Sequence, residues 1–495
     1  MGRRDRDDDP GLPIKFGPCS NGEYEPRPLS PVVRETIRRA RQDCDDHARR
    51  LGLSRRQFLL SVCGAATTLL ALNACTREEA RRRGQPAPGG TYDIPTTATT
   101  EPEAAREVLA GDEFVFDVQG HFLEYRVDPA AQHGRDFWDG FPQQYCGEAD
   151  PRTCFSITHF MEDVFLKSDT SMVVLSALPI EPEGSPMSAD LMDETRRLAE
   201  ALCHDERVLL HAQALPNIGD LRANLDAMAV AVDRYPIAAW KVFTNYPDLW
   251  DGSGNAWRLD DGDAALAPVG EAFVEQCVAL GVTTICAHKG FSQSSPHASP
   301  VDFGPAARAH PDVRFVAYHS GYDPDRPEGP YEEATADSGV NRLIASMQAS
   351  GIGPGQNVYA ELGSTWWTLM GVPDQAAHLL GKLLRHVGED NVLWGTDALF
   401  YGAPQDQIQA FRAFQISEEY QQRYGYPALT DEIKRKILGL NALRLHDVDP
   451  VAVPCPFTRE ELEQIRLTLP SGNETFGPTT PSENRAFVAA HRGRP

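Results

Sequence analysis

The chain has 495 residues, 41% of them hydrophobic, and a formal charge of −24. That is enough apolar material for one large domain with extensions or two ordinary ones, and the acidity argues against a nucleic-acid partner, since phosphate binding needs a basic face. The ten cysteines are scattered without a CxxC, which argues against a structural zinc module.

Residues 1 to about 53 are rich in Arg, Asp and Pro and show no core pattern. SRRQFLL follows at Ser54–Leu60, and an apolar run, Phe58–Ala74, ends in LNAC at Leu72–Cys75. The order of these residues resembles a twin-arginine export signal. Residues 1–75 are therefore read as a signal region, with the twin-arginine machinery as partner and an extracytoplasmic destination, periplasmic or cell surface. The other reading is an ordinary buried helix. LNAC is similar to a lipobox, which makes Cys75 a candidate for lipidation and the one route to a membrane. The run is too short and too rich in Ser, Thr and Gly for a transmembrane span. Residues 76–112 read as a polar linker.

From 113 to 447 short apolar runs alternate with helical patterns, the rhythm of a parallel α/β fold. The first strand lies in EFVFDVQGHF, Glu113–Phe122, where Asp117, Gln119 and His121 recur at period two and so share one face. A long aromatic loop, Leu123–Phe155, is expected to be a lid that brings Trp138 to the substrate. Its Cys146 and Cys154 either pair outside the cytoplasm or stay free. Further strands are expected in 170–180, 207–217, 238–247 with Lys241, 282–290 with His288, 313–321 with His319, 357–365 with Glu361, and 391–399 with Asp397. Helices separate them, and 432–445 would be the closing helix. Eight such units predict a (β/α)₈ TIM barrel. Residues 448–495 form a short C-terminal extension.

In such a barrel the carboxyl ends of the strands share one face, so Gln119, His121, Lys241, His288, His319 and Asp397 converge. With Asp117–His121, the His-x-Gly endings at His288–Gly290 and His319–Gly321, NVLWGTD at Asn391–Asp397 and ILGLNALRLH at Ile437–His446, the chain resembles the amidohydrolase superfamily. The closest branch is the amidohydrolase-related one that includes aminocarboxymuconate-semialdehyde decarboxylase-like enzymes. The resemblance implies a divalent metal, Zn²⁺ or Mn²⁺, on His121, His288 and Asp397, with His319 as acid/base. The family usually has His-x-His in its first strand, and Gln119 stands in the place of the first His. Three outcomes follow: an amide or water completes an open site, a harder metal is preferred, or the metal is lost and a binding barrel remains. Lys241 reads as a contact for a substrate carboxylate or a cap on the barrel mouth. Glu361 supports a ligand, lines the substrate space or merely ends its strand. His211 lies inside its strand and reads as core or as support behind the site.

The resemblance implies two chemistries. In hydrolysis the metal lowers the pKa of water and polarises an ester, lactone or amide carbonyl, while Asp397 or His319 moves the proton. In non-oxidative decarboxylation of an aromatic or enoic acid, His319 and Asp397 protonate the carbon. A small-molecule substrate is expected in both, and a homodimer is left open.

Overall fold

The computed structural model describes residues 10–17, 19–21, 23–24, 28–124, 151–182, 185–203, 206–246, 255–291, 296–449, 461 and 464. Trp138, Cys146, His133 and His204, and nearly all of the C-terminal extension, lie outside these residues.

The amino-terminal region forms a helical hairpin of α1 (Pro31–Leu51), α2 (Arg55–Leu59) and α3 (Val62–Arg82). Ser30 caps α1, Pro31 starts it, and Gly52 ends it at φ 66°. Val33, Thr36, Ala40, Cys44 and Ala48 form its buried stripe. Arg39 holds Glu78 of α3 through two bonds of 2.7 and 2.8 Å. The expectation of no core pattern before residue 53 is thus corrected. Leu12, Ile14, Phe16, Cys19 and Tyr24 are also buried. The adjacent arginines of SRRQFLL sit on α2 behind a capping box made by Ser54 and Gln57. Cys75 is buried within α3, so attaching a lipid there would require this helix to be unpacked and cut.

The expected linker is also structured. A three-residue strand, β1 (Gly90–Tyr92), pairs antiparallel with a late strand, Phe414–Ile416, and Asn73 of α3 bonds both backbone groups of Tyr92. Helix α4 (Pro102–Leu109) then leads into the barrel. Among the described residues no helix is long and apolar enough to cross a membrane.

The barrel consists of β2 (Val115–Gly120), α5 (Ile157–Met161), β3 (Thr170–Ser176), α6 (Ala189–Cys203), β4 (Val208–Gln213), α7 (Leu221–Arg234), β5 (Ile237–Val242), α8 (Gly270–Ala279), β6 (Thr284–His288), α9 (Phe303–Ala309), β7 (Arg314–Tyr318), α10 (Asn341–Ala349), β8 (Val358–Glu361), α11 (Gly363–Leu369), α12 (Pro373–His386) and β9 (Val392–Leu393). Strands β2 to β9 form one parallel sheet in sequence order. Val118 N donates to Trp394 O (3.0 Å) and Asp397 N to Gln119 O (3.0 Å), closing β9 onto β2. Phe116, Val118, Met172, Val174, Cys286, Val316 and Tyr318 fill the interior, and Leu443 plugs its lower end. After β9 come α13 (Gln405–Ala413), β10 (Phe414–Ile416), α14 (Glu418–Tyr424), α15 (Asp431–Arg435) and α16 (Asn441–Leu445).

Two strands differ from expectation. β9 stops after two residues, because Gly395 follows and Asp397 adopts φ 57°. In β2 the register shifts between Asp117 and Gly120, so strict alternation fails. Asp117 turns to the backbone N–H and hydroxyl of Thr396 and does not share a cluster with His121.

Candidate metal centre and active site

The carboxyl ends of the strands carry the polar groups. His121 follows β2, Lys241 lies in β5, and His288 ends β6. His319 and Asp397 each fall just past a strand, on backbone at φ 63° and 57°. Left-handed backbone is costly for a residue other than glycine. Here it turns both side chains back over the barrel axis.

One atom shows the convergence. Gln119 Nε2 donates to Asp397 Oδ1 at 3.1 Å and lies 3.4 Å from His319 Nε2 and 3.5 Å from His121 Nε2. His121 Nε2 is 3.2 Å from Asp397 Oδ1. His288 joins through its ring, centred 4.8 Å from that of His319. Five of the six residues that the sequence places on this face, Gln119, His121, His288, His319 and Asp397, are therefore together. Gln119 is oriented otherwise than a ligand would be: its amide nitrogen faces the other groups, while its carbonyl oxygen turns toward Gly363 and has no partner.

Asp397 Oδ2 also accepts from Ser364 Oγ and from Asn21 Nδ2 (2.8 Å). Burial alone would raise its pKa, but the hydrogen bond and charge of His121, the charge of His319 and the Ser364 bond outweigh this and leave it far below the ordinary range. Burial, then the neighbouring His288, lowers the pKa of His319 to about 3.

Lys241 is fully buried, and its ammonium has no hydrogen-bond partner. It sits 3.6 Å above the ring centre of Tyr318 and 4.8 Å from that of Phe243. Burial lowers its pKa to about 8 against the opposing pull of Asp397, Glu361 and Glu23. His211 holds the Tyr318 hydroxyl at 2.8 Å.

Glu361 is fully buried. Its carboxylate accepts from the backbone N–H groups of His319 and Gly363. It fits there because positions 363 and 395 are glycine: a Cβ at 395 would stand 1.7 Å from Glu361 Oε1. This carboxylate supports the His319 turn.

Two residues of the site were not anticipated. Asn21 and Glu23 belong to the arm that precedes α1. Glu23 Oε1 lies 2.5 Å from His288 Nε2 and its Oε2 lies 3.9 Å from His319 Nε2. Asn21 Nδ2 bridges Glu23 Oε2 (2.6 Å) and Asp397 Oδ2 (2.8 Å). The only local sign of the arm is the alternation of Leu12, Ile14 and Phe16.

Buried imidazole nitrogens and carboxylates that converge, with Glu23, His288 and His319 each offering a donor atom within 4.8 Å of the other two, make a donor set that fits a divalent cation such as Zn²⁺.

The amidohydrolase family Amidohydro_2 matches residues 193–448. No curated protein matches. Among solved structures, an uncharacterised TIM-barrel protein of Bordetella bronchiseptica is 13% identical, with a TM-score of 0.42, over 68% of this chain and 98% of that one. A 2,6-dihydroxybenzoate decarboxylase is 16% identical (TM-score 0.40; 68% and 99%), and a 4-oxalomesaconate hydratase of Rhodopseudomonas palustris is 14% identical (TM-score 0.37; 68% and 96%).

Proposed function

Because the chain belongs to the amidohydrolase family, we propose that this enzyme is a metal-dependent hydrolase of a small carboxylated or aromatic ester, lactone or amide. The observation that carries the reading is the gathering of His121, His319 and Asp397 within 3.5 Å of one atom at the barrel mouth. His121, His288 and Asp397 would hold the cation, read as Zn²⁺. When bound, it supplies Lewis-acid polarisation of the carbonyl and activation of water.

The chain's own groups do the rest. His319 is neutral at pH 7, its pKa lying near 3, and takes the proton from the attacking water and returns it to the leaving group. Glu361 fixes the His319 backbone. Lys241, a buried cation without an anionic hydrogen-bond partner, pairs with a substrate carboxylate, and Tyr318 and Phe243 pack beside it.

The same lysine favours a second reading, loss of carbon dioxide from an aromatic or enoic acid. There the carbon–carboxylate bond breaks with its electron pair left on carbon, and a proton drawn from solvent and passed on by His319 beside Asp397 takes the vacated place. A panel of esters, lactones and aromatic acids, run with carbon dioxide monitored, separates the two. Ring opening or ester cleavage without gas supports hydrolysis; gas release supports the second reading.

SRRQFLL supports export by the twin-arginine machinery, which carries folded proteins. The disulfide at Cys154 suits an oxidising compartment. A reporter fused after residue 75, with Arg55 and Arg56 changed to Lys, tests this: loss of export on substitution is expected.

A further inference from the structure

The first strand leaves the metal one ligand short, since Gln119 presents an amide nitrogen to the site. A carboxylate from elsewhere in the chain stands beside the gap. Glu23 arrives on an arm held down at several points. Lys15 Nζ donates to Tyr401 O (2.6 Å) and Ala403 O (3.0 Å), Lys15 N to Asp406 Oδ2 (3.1 Å), and Cys19 Sγ to Phe400 O (3.2 Å). Tyr24 also stacks on Phe291, at 5.1 Å between ring centres, and Phe291 packs against His319. These anchors set Glu23 between two catalytic strands separated from it by more than 260 residues of sequence.

The placement is that of a ligand. One donor atom each from Glu23, His288 and His319 lies within 4.8 Å of the other two. Glu23 Oε1 approaches His288 Nε2 to 2.5 Å, and the other ring nitrogen, Nδ1, has no hydrogen-bond partner. His288 is only 2% exposed. The other Glu23 oxygen shares the Asn21 amide nitrogen with Asp397, so both carboxylates point into one space. A carboxylate that meets two buried imidazoles in one pocket is a metal-ligand pattern.

We propose that Glu23 of the amino-terminal arm is a ligand of the barrel's divalent metal, alongside His121, His288 and Asp397, and replaces the first-strand ligand that Gln119 does not provide. The inference rests on the metal-dependent reading above. It goes further in making residues 11–24 a permanent part of the mature active site: a protein cut at Cys75 would lose a ligand with its leader.

The test uses the full chain purified without chelator and reconstituted with Zn²⁺. Wild type is expected to retain about one equivalent after gel filtration, and Glu23→Gln to bind Zn²⁺ at least ~100-fold more weakly, beyond the ~10–100-fold cost of losing an outer hydrogen-bond partner. Unchanged affinity in a folded Glu23→Gln protein overturns the proposal. So does a variant that keeps its metal and turns over faster, which would make the arm a plug. Absence of metal from wild type would instead sink the metal-dependent reading itself. Wild type alone gives a second measurement that survives a misfolded variant. Hydrogen exchange of the peptide covering residues 12–24 should slow at least ~10-fold when Zn²⁺ is added, and equal exchange with and without metal refutes the ligand role. Mature protein from an exporting host should carry residues 11–24 by intact mass; a species beginning at Cys75 with one full equivalent of Zn²⁺ refutes it as well.

Discussion

Replacing Lys241 with methionine is expected to stabilise the fold while weakening the hold on substrate. The ammonium is fully buried without a hydrogen-bond partner, and burial takes its pKa from 10.5 to about 8. At 1.36 kcal/mol per pH unit this corresponds to roughly 3 kcal/mol against the charged folded form. The folded pKa lies below the unfolded one. The cost is therefore complete below pH 8 and fades as pH rises toward 10.5, where the unfolded chain still binds a proton that the folded chain has released. Methionine has a similar length and no charge but gives up the cation–π contact with Tyr318, worth ~1–2 kcal/mol. The net gain at pH 7 should be about 1–2 kcal/mol, read from urea unfolding. Wild type should close the gap between pH 8 and 10. For a carboxylated substrate KM should rise at least ~10-fold, the scale of one lost charge-assisted hydrogen bond. A variant less stable than wild type at pH 7, by a margin that does not change up to pH 10, would refute the reasoning and mean that Lys241 is paired after all.

His319→Ala should keep its metal and lose ~10²–10⁴-fold in turnover, whereas His288→Ala and Asp397→Ala should lose the metal; metal content and kcat measured on the same samples decide this, and normal turnover in His319→Ala removes its role. Gly363→Ala would place a methyl 2.6 Å from Gln119 Oε1 and 2.8 Å from His319 Nδ1, so a fall in kcat of more than ~10-fold is expected in a protein that still folds. Burial, with Lys382 and Arg423 nearby, lowers the pKa of His378 to about 4. A folded pKa below 6.5 means that stability drops as pH falls from 6.5 to 4, by roughly 3 kcal/mol. His378→Phe should flatten that part of the pH–stability curve, and an unchanged curve would show that another group controls it.

The barrel was legible because each strand announces itself by an apolar run, and most end on a conspicuous polar residue. His288, His319 and Asp397 stood out for that reason, and the structure places them within one cluster. The orientation of Gln119 was not legible, since period-two reasoning assumes an unbroken strand and β2 changes register beside it. Glu361 looked like any strand-end carboxylate; its role under His319 depends on two glycines, one of them 34 residues away. The arm carried the least signal. Its apolar residues are few, its anchors lie on the far side of the sequence, and the export-like pattern downstream drew the reading away from a folded segment. Likewise β1 spans three residues, too short for any periodicity to register.

The seam between β9 and β2 has a bearing on how the protein would fail. Asp397 N and Gln119 O form one of the bonds that complete the cylinder, and the side chains of the same two residues meet inside the site. Circular integrity and chemical competence are thus a single cooperative property. Loosening this join would silence the enzyme while most of its helices were still intact, so loss of activity should precede loss of helical signal whenever damage begins there.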